Sequence, residues 1–168
     1  YAYGGPGLAI RTLNQNFHLD ITDYVTVNFA EMAQIVDAFG GVEIALTADE
    51  KREINRNLWD LSQETEGLIE DSDFLADANG QVMDLAGAEY SDSVELLNGN
   101  QAVAYGRIRE IDSDDARVSR QQRVLQALVA QLKKKNIFQC PGLIREVASH
   151  CETSLGAGKL LSLSPIVL

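Results

Sequence analysis

Apolar residues recur along this chain at helical spacing in some stretches and alternate in period two in others. Leu8, Ala9, Leu13 and Phe17 share one face of a helix over residues 7–17, and the GGPG before it reads as a turn. Residues 24–29, YVTVNF, alternate apolar and polar and are rich in β-branched and aromatic side chains, which predicts a strand. Met32, Ile35, Val36 and Phe39 predict a helix over residues 30–39, stopped by Gly40-Gly41. Val42–Leu46, VEIAL, reads as a second strand. Strand, helix, glycine turn and strand follow the order of a βαβ unit, which implies a sheet covered by helices.

The pattern is less regular beyond this point. Residues 47–80 are acidic, with helical turns expected around 50–58 and an irregular excursion over 70–80. Residues 82–85 are apolar enough for a short strand, and Asn98 can cap a short helix. Arg107-Ile108-Arg109 reads as extended or terminal. Asp114–Lys135 predicts a long helix with Val118, Val124, Leu125, Leu128, Val129 and Leu132 on its apolar face. Lys133, Lys134 and Lys135 suit its negative end. One or two further helical segments are expected over 142–163. No internal repeat or low-complexity stretch appears.

At 168 residues the chain fits one domain with a real core, and we expect a single domain over 1–168. Its 45% hydrophobic and 23% charged residues exclude a disordered class, and no apolar run is long enough to span a bilayer. The net charge of −11 is unevenly spread. Residues 1–100 hold 4 Lys+Arg against 19 Asp+Glu, whereas residues 101–168 hold 10 against 6. That balance argues against general nucleic-acid binding but permits a local anion site in the second half. Cys140 and Cys151 read as buried thiols or as a disulfide closing a short loop.

The second half opens on YGRIREIDSDDARVSRQQ, which gathers Arg107, Arg109, Arg117 and Arg120. Guanidinium groups suit phosphate or carboxylate because their planar fork donates bidentately. In an extended segment, Arg107 and Arg109 share one face and Ile108 turns to the core. On the next helix, Asp114, Arg117, Arg120 and Gln121 lie three or four residues apart, beside a terminus that itself attracts anions. Four arginines and a helix start then suit convergence on one dianionic or pyrophosphate group, with Asp114 capping the helix or helping to hold a divalent cation between phosphates. The alternative is a solvated face in which Asp112, Asp114 and Asp115 pair with Arg117 and Arg120.

Residues 97–128, LNGNQAVAYGRIREIDSDDARVSRQQRVLQAL, resemble the signature of the LytR–CpsA–Psr family: L-x-G-x-x-A-L-x-Y-x-R-x-R, a short acidic loop, then D-F-x-R-x-x-R-Q. Residues 1–44 resemble its A-Y-x-x-G-G segment and the strand that leads to I-V-D-x-L-G-G-V. The resemblance implies an α/β fold, a central mixed sheet flanked by helices on both sides, with a deep apolar tunnel for a polyprenyl chain. It implies a phosphotransferase of the bacterial envelope. Such an enzyme moves a teichoic acid or capsule polymer from a polyprenyl-pyrophosphate carrier to peptidoglycan, with Mg²⁺ as cofactor. Carried over, Arg107 and Arg109 match the R-x-R pair, Asp114 and Arg117 the ends of D-F-x-R, and Arg120 and Gln121 the final R-Q. Arg107, Arg109 and Asp114 would be catalytic. Arg107, Arg109, Arg117, Arg120 and Gln121 would hold pyrophosphate.

Asp115 stands where the family usually carries an aromatic residue. The family's earlier segment, with its acidic residues, a strand ending in P-R-D and a membrane anchor, is expected upstream of Tyr1. The expected place is the extracytoplasmic face of the membrane. A non-catalytic polyprenyl-phosphate-binding module and a structural envelope module are the rival functions. Among other residues, Asp37 is expected to satisfy backbone groups near the Gly40-Gly41 turn. Arg11 reads as a surface residue and Trp59 as local packing. His18 and His150 stand alone without a nucleophile motif. GGPG and GG lack the G-K-[ST] of a P-loop.

Overall fold

A computed structural model describes residues 4–64, 67–80, 82, 88–109, 111, 113–135, 147 and 149–156. The elements are α1 (Gly5–Phe17), β1 (Val25–Thr26), α2 (Phe29–Ala38), β2 (Val42–Leu46), α3 (Ala48–Glu64), β3 (Ser93–Leu97), α4 (Gly99–Arg107), α5 (Asp114–Lys135) and β4 (Glu152–Thr153). The fold is α/β, as the pattern implied. Among the described residues its strands form two antiparallel pairs, β1 with β4 and β2 with β3. The expected βαβ unit therefore does not form there. β2 takes β3 as its antiparallel partner, and β1 is only two residues long.

The first predicted strand is cut short by a cap. Asn28 accepts a hydrogen bond from the Glu31 N–H at 2.8 Å, and Glu31 accepts one from the Asn28 N–H at 2.9 Å. That reciprocal capping box begins α2 at Phe29 and ends the extended stretch before it. Thr47 and Glu50 start α3 the same way, at 3.1 and 3.2 Å, so the expected helical turns become a 17-residue helix. GGPG is absorbed into the start of α1, with Pro6 in its first turn. The predicted strand at 82–85 falls outside the described residues except for Val82, which is in no element, and the expected helices over 142–163 lie mostly outside them.

Pattern did not find β3. Its Val94 and Leu96 are exposed, while Glu95 opposite Ile44 turns toward buried Lys51. Strand β2 reads as expected, with Val42, Ile44 and Leu46 buried. Gly41 lets it start: at φ +93 the backbone is left-handed, and a Cβ would stand 2.8 Å from the Leu97 carbonyl oxygen.

Helices α2 and α4 run antiparallel against each other. The Asp37 carboxylate, near the end of α2, accepts from the Gly99 N–H at 2.7 Å, at the start of α4. The Asp37 carboxylate thus serves the start of α4, while its backbone carbonyl accepts from the Gly40 N–H of the glycine turn at 2.7 Å. Between them the backbones touch, because a Cβ at Gly99 would overlap the carbonyl of Ala33. The core lies where these helices meet β2 and α3, around Val36, Phe39, Ile54, Leu58, Tyr105 and Ile108. On α5 only Val124 and Leu128 of the predicted apolar face are buried. Val118, Leu125 and Val129 are exposed, and the Leu132 side chain lies outside the description.

Candidate functional site

The arginine segment begins at the end of α4. Asn98 caps that helix, accepting from the Gln101 N–H at 2.9 Å, while Gln101 accepts from the Asn98 N–H at 2.9 Å. A helix end leaves carbonyls without intrahelical partners. Here neighbouring helices supply donors. Asn57 of α3 donates to the Ala104 carbonyl at 3.1 Å, and Gln121 of α5 donates to that of Gly106 at 3.3 Å. Arg120 of α5 donates to the Ile108 carbonyl at 3.4 Å. The carbonyls on either side of Arg107 are therefore held from α5.

Arg107 is the last residue of α4, so the segment is terminal, the second of the two readings, and not extended. Ile108 leaves the helix with ψ 128 and is fully buried, which delivers the expected core contact by another route. Arg107 is half-buried, with its guanidinium carbon 5.5 Å from the centroid of the Phe29 ring it lies over. Arg109 is exposed.

At the start of α5, Ser113 is the cap, because its hydroxyl accepts from the Ala116 N–H at 3.4 Å. Asp114 does not cap the helix. It is exposed in the first turn and meets Arg117 at 3.3 Å. Arg120 also departs from expectation. It is buried, and its Nε donates to Glu50 Oε1 at 3.0 Å. Arg120 shares the inward row of α5 with Val124 and Leu128, four and eight residues on, which accounts for its burial. Its guanidinium braces the corner. Gln121 spends its amide on Gly106 as described above.

Glu50 is the residue that sequence reasoning missed. Its Oε2 serves the cap of α3, and its Oε1 accepts from Arg120 and lies 3.7 Å from Arg123. Arg123 in turn donates to the Tyr105 hydroxyl at 2.9 Å. Burial pushes the Tyr105 phenol above its ordinary value, against the pull of Arg123 and with the help of the Glu50 charge. The signal available in sequence was the Thr47-x-x-Glu50 capping pattern; nothing in it pointed to an arginine 70 positions away.

Chemically, the corner presents cations. Arg107, Arg109 and Arg117 are each reached by solvent, and Arg117 stands three residues, about 4.5 Å of helix rise, before Arg120 on α5. No group of three or more His, Cys, Asp or Glu suited to a metal occurs among the described residues. Asp114 brings one carboxylate, and it faces Arg117. An open groove of about 540 Å³ lies along β2 and α5, lined by residues such as Glu43, Ala45, Arg123 and Gln126, and none of the predicted site residues lines it. Cys151 is a free, half-buried thiol held protonated by burial and then by the charge of Glu31, so it is a poor nucleophile. Cys140 lies outside the described residues. Arg11 and Trp59 are exposed, Arg11 as expected and Trp59 not packed away.

The model of the LytR_cpsA_psr family matches residues 1–167. The chain belongs to that family. It is 26% identical over 158 residues to the polyisoprenyl-teichoic acid–peptidoglycan teichoic acid transferase TagU of Enterococcus faecalis, covering 92% of this chain and 41% of that protein. It is 22% identical over 170 residues to the transferase TagT of Bacillus subtilis, covering 99% and 44%. The chain thus spans less than half the length of these curated relatives. In three dimensions it resembles TagT bound to LI-WTA, with a TM-score of 0.65 at 21% identity over 99% of this chain and 52% of that one. TagV of B. subtilis gives a TM-score of 0.65 at 20% identity over 99% and 54%. These likenesses establish the family's fold for this chain. These two curated relatives are teichoic acid transferases by name.

Proposed function

We propose that the protein is a phosphotransferase that moves a glycopolymer of teichoic acid or capsule type from a polyprenyl-pyrophosphate carrier to peptidoglycan. Its work would be done at the extracytoplasmic face of the bacterial cell membrane, with a membrane anchor in the segment expected upstream. One observation carries the reading. The two arginine blocks of the family motif are tied at one corner by the Arg120 bond to the Ile108 carbonyl, and the side chains of Arg107, Arg109 and Arg117 are each reached by solvent.

A peptidoglycan hydroxyl would form a new P–O bond to the polymer's phosphorus as the bond to polyprenyl phosphate breaks. Phosphoryl transfer is mainly positioning and charge neutralisation. Arg107, Arg109 and Arg117 supply both by gripping the pyrophosphate, with Asp114 steering Arg117. Arg120 and Gln121 hold the backbone that carries them. Mg²⁺ is proposed to accompany the pyrophosphate, on the family resemblance. No step is routed through it, because the described residues gather no carboxylate set to hold it. The rival reading is a module that binds polyprenyl phosphate without catalysis.

The test is Arg107→Ala and Arg117→Ala in the protein as its gene encodes it, expressed in cells lacking other members of the family. Each variant is expected to abolish glycopolymer attachment to peptidoglycan. Unchanged attachment in both variants defeats the reading. Copurified polyprenyl phosphate with no transfer by the parent protein would support the binding module instead.

A further inference from the structure

Phe29 is a large aromatic side chain left 59% exposed, although it sits beside the buried face of α2. Its backbone is fixed at the first position of that helix by the Asn28–Glu31 box. Among the described residues its ring contact is with the cation of Arg107. The antiparallel packing of α2 on α4 brings the two together: Asp37 and Gly99 pin one end of the helix pair, and Phe29 and Arg107 meet at the other. The face of an aromatic ring is its negative region, so a guanidinium over it is attracted without spending its N–H donors on an acceptor. A carboxylate partner would do the opposite, neutralising the charge and occupying the fork. Arg117 has such a partner in Asp114, and Arg120 in Glu50.

We propose that Phe29 is a positioning residue for Arg107: its ring holds the guanidinium at the end of α4 while leaving the N–H fork free for phosphate. The role of Arg107 in this statement rests on the reading under Proposed function. The stack itself does not. It explains why an aromatic residue is kept in solvent at the start of α2, where packing gives it little.

The experiment compares Phe29→Leu, which keeps an apolar side chain without a π face, with Phe29→Trp, which keeps the face. Because the site is exposed, both variants are expected to unfold at the temperature of the parent. In the free protein, ring currents should shift the Arg107 side-chain proton resonances upfield. That shift should vanish in Phe29→Leu and persist in Phe29→Trp; no change in Phe29→Leu overturns the stack. With a short polyprenyl pyrophosphate as probe, Phe29→Leu should bind about 2- to 30-fold more weakly, the range of an exposed to a desolvated cation–π contact. Phe29→Trp should bind like the parent, and in the Arg107→Ala background Phe29→Leu should cost nothing further. Weakened binding by Arg107→Ala with parent-like binding by Phe29→Leu overturns the positioning role and leaves the phosphate reading standing. Parent-like binding by Arg107→Ala defeats the phosphate reading and takes the role of Phe29 with it.

Discussion

On the inner side of α5, Arg120 is 3% exposed and its Nε meets Glu50, itself 7% exposed, at 3.0 Å. On the outer side, one turn earlier, Arg117 is 26% exposed and meets Asp114, 84% exposed, at 3.3 Å. Both arginines belong to the same short motif. The inner one has no water to solvate it, so its charge must be answered by protein groups, and it gets both a carboxylate and a backbone carbonyl. The outer one keeps water as an alternative partner, so its ion pair is cheap to exchange for a ligand. A motif of like residues therefore divides into groups buried to hold the corner together and groups that stay open to solvent. Between these extremes lies Lys51–Glu95, with side chains 7% and 35% exposed at 2.7 Å, joining α3 to β3.

The largest effect should come from the inner pair. Removing one member takes the nearest counter-charge from the other in a buried place, so Glu50→Ala or Arg120→Ala should each cost about 3–5 kcal/mol of stability. Chemical denaturation of each variant measures this, and a cost within 1 kcal/mol of zero would break the distinction between the two sides. Glu95→Gln should come next, at about 1–2 kcal/mol near neutral pH, because buried Lys51 keeps its Ser93 contact but loses its counter-charge. This pair also carries a pH signature. The Lys51 ammonium, and after it the Ser93 hydroxyl, hold the Glu95 carboxyl below its ordinary value of 4.5. The folded state then binds fewer protons than the unfolded one as that group titrates. The stabilisation is present above 4.5 and is lost as pH falls through the lowered value. Urea midpoints measured down the acid limb should show a shallower decline in Glu95→Gln than in the parent.

Helices whose apolar residues have helical spacing were legible in the sequence, and so was β2, whose alternation agrees with its burial. Strand β3 was not, because it is inverted: its polar Glu95 turns in to Lys51 while Val94 and Leu96 turn out. Period-two patterning finds a strand but assumes that apolar means inside. Helix α1 shows the same limit from the other direction. Its spacing announced a helix, yet none of its residues is buried, because pattern states which face is apolar and not whether anything covers it. In the site, the motif named the arginines and gave all four a hold on the pyrophosphate. Distinguishing Arg120 required Glu50, which is distant in sequence, or attention to the row that Arg120 shares with Val124 and Leu128. Phe29 was read as the end of a strand and so drew no attention as a partner for Arg107.

The smallest effect on stability should belong to Arg117, and that smallness is the sharpest check on the comparison. Its bond to Asp114 joins residues three apart on one helix face, with Asp114 almost wholly in water. Such pairs contribute about 0.2–0.5 kcal/mol, and a pair that open to solvent is screened by salt. Alanine is also the better helix former, which offsets part of the loss. Arg117→Ala should therefore unfold within about 0.5 kcal/mol of the parent while losing glycopolymer attachment. Stability and activity would then separate on α5 within one turn: position 120 costs the fold, and position 117 costs the function. A destabilisation by Arg117→Ala as large as that by Arg120→Ala would mean that both arginines brace the corner. The anion would then have to be held by Arg107 and Arg109 alone.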